Sequence, residues 1–124
     1  MQILVVEDHE DTRKVLERLC SRCGFNVVSA ATLQEGLHFL QATPLDAIIS
    51  DIALPDGTGY ALITEARKRG IKALAIALSA YTFPEDVQEA KLTGFDYHIS
   101  KPFDYAQLQS LLEQRVATIT KSNG

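Results

Sequence analysis

Five short, almost continuously apolar runs alternate with five segments of helical period, and this alternation restricts the chain more than any other feature. The runs are Ile3 to Val6, Val27 to Ala30, Ala47 to Ile49, Ala73 to Leu78 and a weaker one around Tyr97 to Ile99. A strand with one wet face alternates apolar and polar residues; a run that is apolar throughout fits a strand covered on both faces. Strands separated by helices form a parallel sheet with helices on either side.

The helical segments carry their own start and stop signals. The first runs from near Asp11 to Cys23, with Val15, Leu16, Leu19, Cys20 and Cys23 as its apolar stripe and Gly24 as a left-handed stop. The second is announced by Thr32-Leu33-Gln34-Glu35, a capping box, followed by Leu37 and Leu40, and ends near Thr43 and Pro44. The third spans Gly59 to Arg69, with Leu62, Ile63 and Ala66 inward, basic residues in its last turn and Gly70 as stop. The fourth begins at Pro84, has Glu85 and Asp86 in its first turn, ends at Gly94 and is short and weakly apolar. The fifth follows Asp104 and carries Leu108, Leu111, Leu112 and Val116; the polar residues from Thr118 to Gly124 are expected to fray.

Right-handed crossovers leave few topologies for five βα units. The expected fold is α/β: a flavodoxin-like, doubly wound, five-stranded parallel sheet of order 2-1-3-4-5 with five helices. Its ligand site lies outside the carboxyl ends of strands 1 and 3, where the winding reverses.

A chain of 124 residues without a Pro/Gly-rich linker fits one domain, residues 1–124. The net charge of −4 with scattered basic residues excludes an electrostatic footprint for direct nucleic-acid binding. No apolar run is long enough for membrane insertion, and Met1 leads straight into a strand, so a cytoplasmic location is expected. Cys20 and Cys23 form a C-x-x-C on a helix; with no second cysteine pair and with His9, His38 and His98 scattered, they are read as inward-packing residues, not metal or redox groups.

The residues at the strand ends carry the chemistry. Strand 1 ends in Glu7-Asp8, strand 3 in Asp51 and strand 4 in Ser79, and strand 5 leads into Lys101-Pro102. Three carboxylates brought together repel unless a cation compensates, and an acidic, all-oxygen cleft suits a hard divalent ion: Mg²⁺, with Mn²⁺ as a substitute. In this reading Asp8 and Asp51 bind the ion directly and Glu7 acts through a water. The site stays open for phosphate, toward which a carboxylate is a competent nucleophile, and Lys101 and Ser79 share the neutralisation of the phosphoryl oxygens.

The series V-V-E-D, I-S-D-I-A-L-P-D-G-T-G, A-L-S-A and S-K-P-F resembles the response regulator receiver domains across roughly residues 2 to 117, which leaves 118–124 as a polar tail. The resemblance implies that Asp51 is the phosphoacceptor, Asp8 a direct metal ligand, Glu7 its acidic partner and the backbone carbonyl of Ala53 a third protein ligand. It assigns Lys101 to a phosphoryl oxygen or the Asp51 carboxylate, Ser79 to a hydroxyl that moves toward the phosphate, and Tyr81 and Ala53 to the flanks of the pocket. Pro102 follows a cis peptide in relatives. The family's aromatic switch position is here His98, which either reports activation through its rotamers or is an edge-strand histidine with no such role. Asp56, Gly57 and Gly59 are read as shaping the loop after Asp51, the glycines through positive φ, without chemistry of their own.

The function expected is that of a phosphoacceptor signalling domain of a two-component or phosphorelay system, not an enzyme acting on other substrates. Its partner is a sensor histidine kinase or a histidine phosphotransfer protein, and phosphorylation switches the face made by helix 4, strand 5 and helix 5. The L-P-D-G-T-G-Y loop and the G-F-D-Y-H-I-S-K-P segment resemble receivers of hybrid sensor kinases. Two alternatives stand beside this reading. One is a phosphorylation-independent interaction module, against which the intact carboxylates and lysine argue. The other is a metal-dependent aspartyl phosphatase, which usually has a second acid where this chain has Ala53.

Overall fold

The computed structural model describes residues 1–80 and 84–123, with the side chains of all of these except 84–86 and 120–123. Its elements in chain order are β1 (Gln2–Val6), α1 (Glu10–Arg22), β2 (Asn26–Ala30), α2 (Leu33–Ala42), β3 (Ala47–Asp51), β4 (Ala53–Leu54), β5 (Gly57–Thr58), α3 (Gly59–Lys68), β6 (Leu74–Ser79), α4 (Pro84–Thr93), β7 (Tyr97–Ser100) and α5 (Tyr105–Asn123). The main sheet has the order β2-β1-β3-β6-β7 with every pair parallel, which is the expected 2-1-3-4-5 once the short β4–β5 hairpin is set aside.

The apolar runs divide between two faces as the period of a strand requires. Ile3, Val5, Ile49, Ile76 and Leu78 pack under α1 and α5 with Leu16, Leu19, Cys20, Leu108 and Leu112. Leu4, Val6, Ile48, Ala75 and Ala77 pack on the other face with Leu40, Leu62, Ile63 and Ala66. Each fully buried Leu or Ile contributes roughly 1.5–3 kcal/mol through removal of apolar surface from water, so the two layers rather than the loops hold the sheet. The edge strands are less covered: β2 is half-buried along most of its length and β7 buries Ile99 alone.

Helix ends follow the local chemistry. Gly24, Gly70 and Gly94 have φ of +101°, +77° and +116° just beyond α1, α3 and α4, the left-handed stop that a Cβ disfavours. Thr32 Oγ1 accepts from Glu35 N at 3.1 Å, but the reciprocal bond of Glu35 goes to Ala31 N rather than to the cap itself. The polar stretch expected to fray is helical through Asn123. No Gly or Pro interrupts residues 118–123, so the i→i−4 ladder propagates, and the Thr118 hydroxyl donates to Gln114 O at 2.9 Å. No helix among the described residues is long and apolar enough to cross a membrane.

Candidate functional site

The carboxyl ends of β1, β3, β6 and β7 bring the strand-end residues to one edge of the sheet. Glu7 follows β1 and is fully buried, its N–H donating to Ala30 O at 3.0 Å; Asp8 is exposed. Asp51 ends β3 with 7% of its surface exposed. Carboxylate oxygens of Glu7, Asp8 and Asp51 all lie within 4.8 Å of one another. The Lys101 ammonium, entering from the loop after β7, donates to Asp51 Oδ2 at 2.7 Å and to Glu7 Oε1 at 2.5 Å.

The electrostatics follow from that crowding. Burial first, and then its hydrogen bond to Asp51, push the Glu7 carboxyl up to about 7 against the opposing pull of Lys101. Burial alone would lower Lys101, but its bonds to Asp51 and Glu7 outweigh it and the ammonium is held above its ordinary value. Glu7 Oε2 is buried with no hydrogen-bond partner among the described residues. An unpaired, buried carboxylate oxygen beside two further carboxylates is the donor set of a hard divalent cation, so these residues fit Mg²⁺ or Mn²⁺.

The backbone around Asp51 is fastened from several sides. Ala53 N–H donates to Asp51 Oδ1 at 3.0 Å, Ile52 N–H to Leu78 O at 3.0 Å and Gly59 N–H to Ile52 O at 2.9 Å. Gly57 and Gly59 do not take positive φ, contrary to expectation; their use is small size. A Cβ on Gly59 would stand 2.5 Å from the carbonyl oxygen of Asp51, and one on Gly57 would stand 2.5 Å from Leu33 Cδ2.

Ser79 ends β6, is 3% exposed and accepts the Lys101 backbone N–H on its carbonyl at 2.8 Å. Pro102 follows a cis peptide, as expected. His98 is half-buried on β7, in register with Ala77 and three residues before Lys101. Tyr81 lies outside the described residues.

Two participants escaped the sequence reading. Arg13 Nη1 donates to the Glu7 carbonyl at 2.9 Å and so holds the turn that carries Glu7 and Asp8. The one available signal was a cation in the opening turn of a helix, where the dipole disfavours it unless another acceptor is near. Asp56, read only as a loop former, accepts from Leu33 N at 2.7 Å and Gln34 N at 3.0 Å at the start of α2. Beside the carboxylates a depression of about 530 Å³ is lined by Asp11, Thr12, Val15, Lys101, Pro102, Phe103 and Tyr105.

Comparison with known proteins bears on this arrangement. The family model described as response regulator receiver domain matches residues 3–113. The chain is 36% identical to the KDP operon transcriptional regulatory protein KdpE of Escherichia coli over 89% of its own length and 48% of that protein's. It is 28% identical to the sensor histidine kinase RcsC of Escherichia coli over 98% of its length and 13% of the kinase's, so it spans about half of one relative and a small part of the other. Among solved structures, chemotaxis protein CheY4 of Vibrio cholerae superimposes with a TM-score of 0.84 at 29% identity, covering 91% of this chain and 96% of that one.

Proposed function

This chain belongs to the response regulator receiver family of two-component signalling, and from that premise we propose that Asp51 is its phosphoacceptor in a Mg²⁺-dependent transfer from a partner's phosphohistidine. The observation that carries this reading is the convergence on Asp51 of two further carboxylates within 4.8 Å and of the Lys101 ammonium at 2.7 Å.

In the transfer, an Asp51 carboxylate oxygen forms a bond to phosphorus while the phosphorus–nitrogen bond of the phosphohistidine breaks, and the ring nitrogen keeps the electron pair. A bound Mg²⁺, which Mn²⁺ can replace, supplies neutralisation of the carboxylate and phosphoryl charge. Asp8, Asp51 and the Ala53 carbonyl would hold it directly, and Glu7 would do so through water. The Ala53 N–H fixes Oδ1 of Asp51, which leaves Oδ2 on the side of Lys101. Lys101 then exchanges a carboxylate partner for a phosphoryl oxygen, and the Ser79 hydroxyl takes another.

The new charge, about −1.5 to −2, draws Ser79 and Lys101 inward. Because the Lys101 N–H is bonded to the Ser79 carbonyl at 2.8 Å, movement at the end of β6 passes directly to the end of β7. Helix α4 is poorly anchored among its described side chains: Ala90 is buried and Leu92 is 76% exposed. These features support a switch on the α4, β7 and α5 face, with His98 on β7 and Tyr81 as modulators. The partner in this reading is a histidine kinase or phosphotransfer protein, and the domain's catalytic groups serve only its own phosphorylation and dephosphorylation.

The test is incubation with Mg²⁺ and acetyl phosphate, followed by intact mass measurement of wild type and Asp51→Asn. The expected result is one added phosphoryl group in wild type and none in the variant. A wild type that gains no mass and shows no beryllofluoride-dependent change in its amide spectrum would instead be a phosphorylation-independent module.

A further inference from the structure

The hairpin between β3 and α3 is short, exposed and made of two-residue strands, yet it carries the N–H that orients Asp51. Ala53 pairs with Thr58 and Leu54 with Gly57. A two-residue ladder is too small to hold itself rigid in water, so its position has to be set by contacts outside it.

At its base the hairpin is tied through Ile52 to Leu78 and Gly59 and packs Leu54 on the core, and at its tip the contacts are with α2. The first three N–H groups of that helix have no partner within the helix. Glu35 N is taken by Thr32 Oγ1, while Leu33 N and Gln34 N are both taken by the two oxygens of Asp56, at 2.7 and 3.0 Å. The carboxylate also meets the positive end of the helix dipole, and the two backbone donors hold it below its ordinary pKa, so it is ionised at neutral pH. Gly57 brings the hairpin against the Leu33 side chain, whose Cδ2 would have to move aside for a Cβ. At its other end the hairpin feeds α3, which Thr58 Oγ1 caps by accepting from Ala61 N at 3.3 Å.

We infer that Asp56 is a positioning residue for the phosphoacceptor: by tying the hairpin to the amino end of α2 it fixes the Ala53 N–H and thereby the orientation of the Asp51 carboxylate. The chain of contacts is Leu33 and Gln34 N–H to Asp56, Asp56 to the hairpin, and Ala53 N–H to Asp51 Oδ1. Asp56 touches no reacting atom. Its consequence for metal uptake rests on the proposed role of Asp51, whereas its consequence for the Ala53 N–H does not.

The test compares Asp56→Ala, Asp56→Asn and Thr32→Ala with wild type. Thr32→Ala removes a cap from the same helix but leaves the tie intact, so it measures what weakening α2 does alone. Two readouts are taken: hydrogen exchange of the Ala53 amide in metal-free protein, and the Mg²⁺ dissociation constant from an amide-shift titration. For Asp56→Ala both are expected to change on the order of 10-fold, the lower end for groups that orient a metal ligand, with Asp56→Asn between it and wild type and Thr32→Ala within about two-fold. The inference is overturned if Asp56→Ala leaves Ala53 exchange at the wild-type rate, or if Thr32→Ala shifts it as far. Should wild type take up no Mg²⁺, the phosphoacceptor reading fails while Ala53 exchange still decides the role of Asp56.

Discussion

Lys101 and Asp51, 50 positions apart in the chain, meet at 2.7 Å, and the same ammonium reaches Glu7 at 2.5 Å. The lysine side chain is only 24% exposed, so it acts as the internal counter-ion of two largely buried carboxylates. Removing one partner of such a cluster leaves charge without compensation. Lys101→Ala is expected to lower metal-free stability by about 2–3 kcal/mol, below the range for fully buried pairs because part of the lysine is wet. Urea unfolding in EDTA and again in Mg²⁺ checks this, with the metal restoring part of the loss; equal stability of variant and wild type in EDTA would remove the counter-ion role.

Glu7 sets a pH dependence in the metal-free protein. Its carboxyl stands at about 7 in the fold against 4.5 in a free chain, mainly through burial. Between those values the native state holds a proton that the unfolded chain has lost. The stability tied to that proton is complete below 4.5 and disappears as pH climbs through about 7. Glu7→Gln, which mimics the protonated form, should gain on wild type by on the order of 2 kcal/mol between mildly acidic and mildly basic pH. Denaturant midpoints for the pair across that range give the answer, and a constant difference would contradict the assignment.

Metal linkage offers a third measurement. Mg²⁺ at about 100 times its dissociation constant should stabilise the fold by about 2.7 kcal/mol through mass action alone. Asp8 is exposed and contributes little to the core, so Asp8→Ala should leave metal-free stability nearly unchanged while abolishing the Mg²⁺ increment. Thermal melts with and without the ion separate the two effects.

Two glycines distinguish crowding from backbone strain. Gly59→Ala places a Cβ 2.5 Å from the Asp51 carbonyl oxygen, a backbone atom that can yield only by moving β3. Gly24→Ala meets nothing within 4 Å and costs only the strain of φ +101°. The expected losses are about 2–3 kcal/mol at Gly59 and about 1 kcal/mol at Gly24, with phosphorylation impaired at Gly59 alone. Unfolding curves and acetyl phosphate labelling of both variants test the order.

Ser79→Ala separates transfer from response. The variant should still accept a phosphoryl group on Asp51, since Lys101 and the carboxylates remain. Its amide shifts on α4, β7 and α5 after phosphorylation should shrink to a fraction of the wild-type changes, and undiminished shifts would move the switch elsewhere.

The sheet and the gathering of the strand-end residues were legible in the chain because both depend on local rules. Ile3 to Val6 and Ala73 to Leu78 read as strands wet on neither face, and the structure buries all of them but Leu74, which is half-buried. A parallel sheet places every strand's carboxyl end on one edge, so Glu7, Asp8, Asp51, Ser79 and Lys101 could be expected together from their positions after the apolar runs. Helix stops at Gly24, Gly70 and Gly94 were equally local.

What sequence alone left undetermined are contacts between groups distant along the chain. Arg67, which reads as one of several cations at a helix end, donates to the carbonyls of Ile71, Ala73 and Gly94 and to Asp96, joining the ends of α3, α4 and β6. Asp56 reads as a turn former and becomes the cap of a helix more than 20 residues before it. Periodicity and capping signals report how a residue relates to neighbours within a turn or a strand. Which distant N–H or carbonyl a side chain meets is fixed only when the layers pack, and at Asp51 that packing decides how the carboxylate is held.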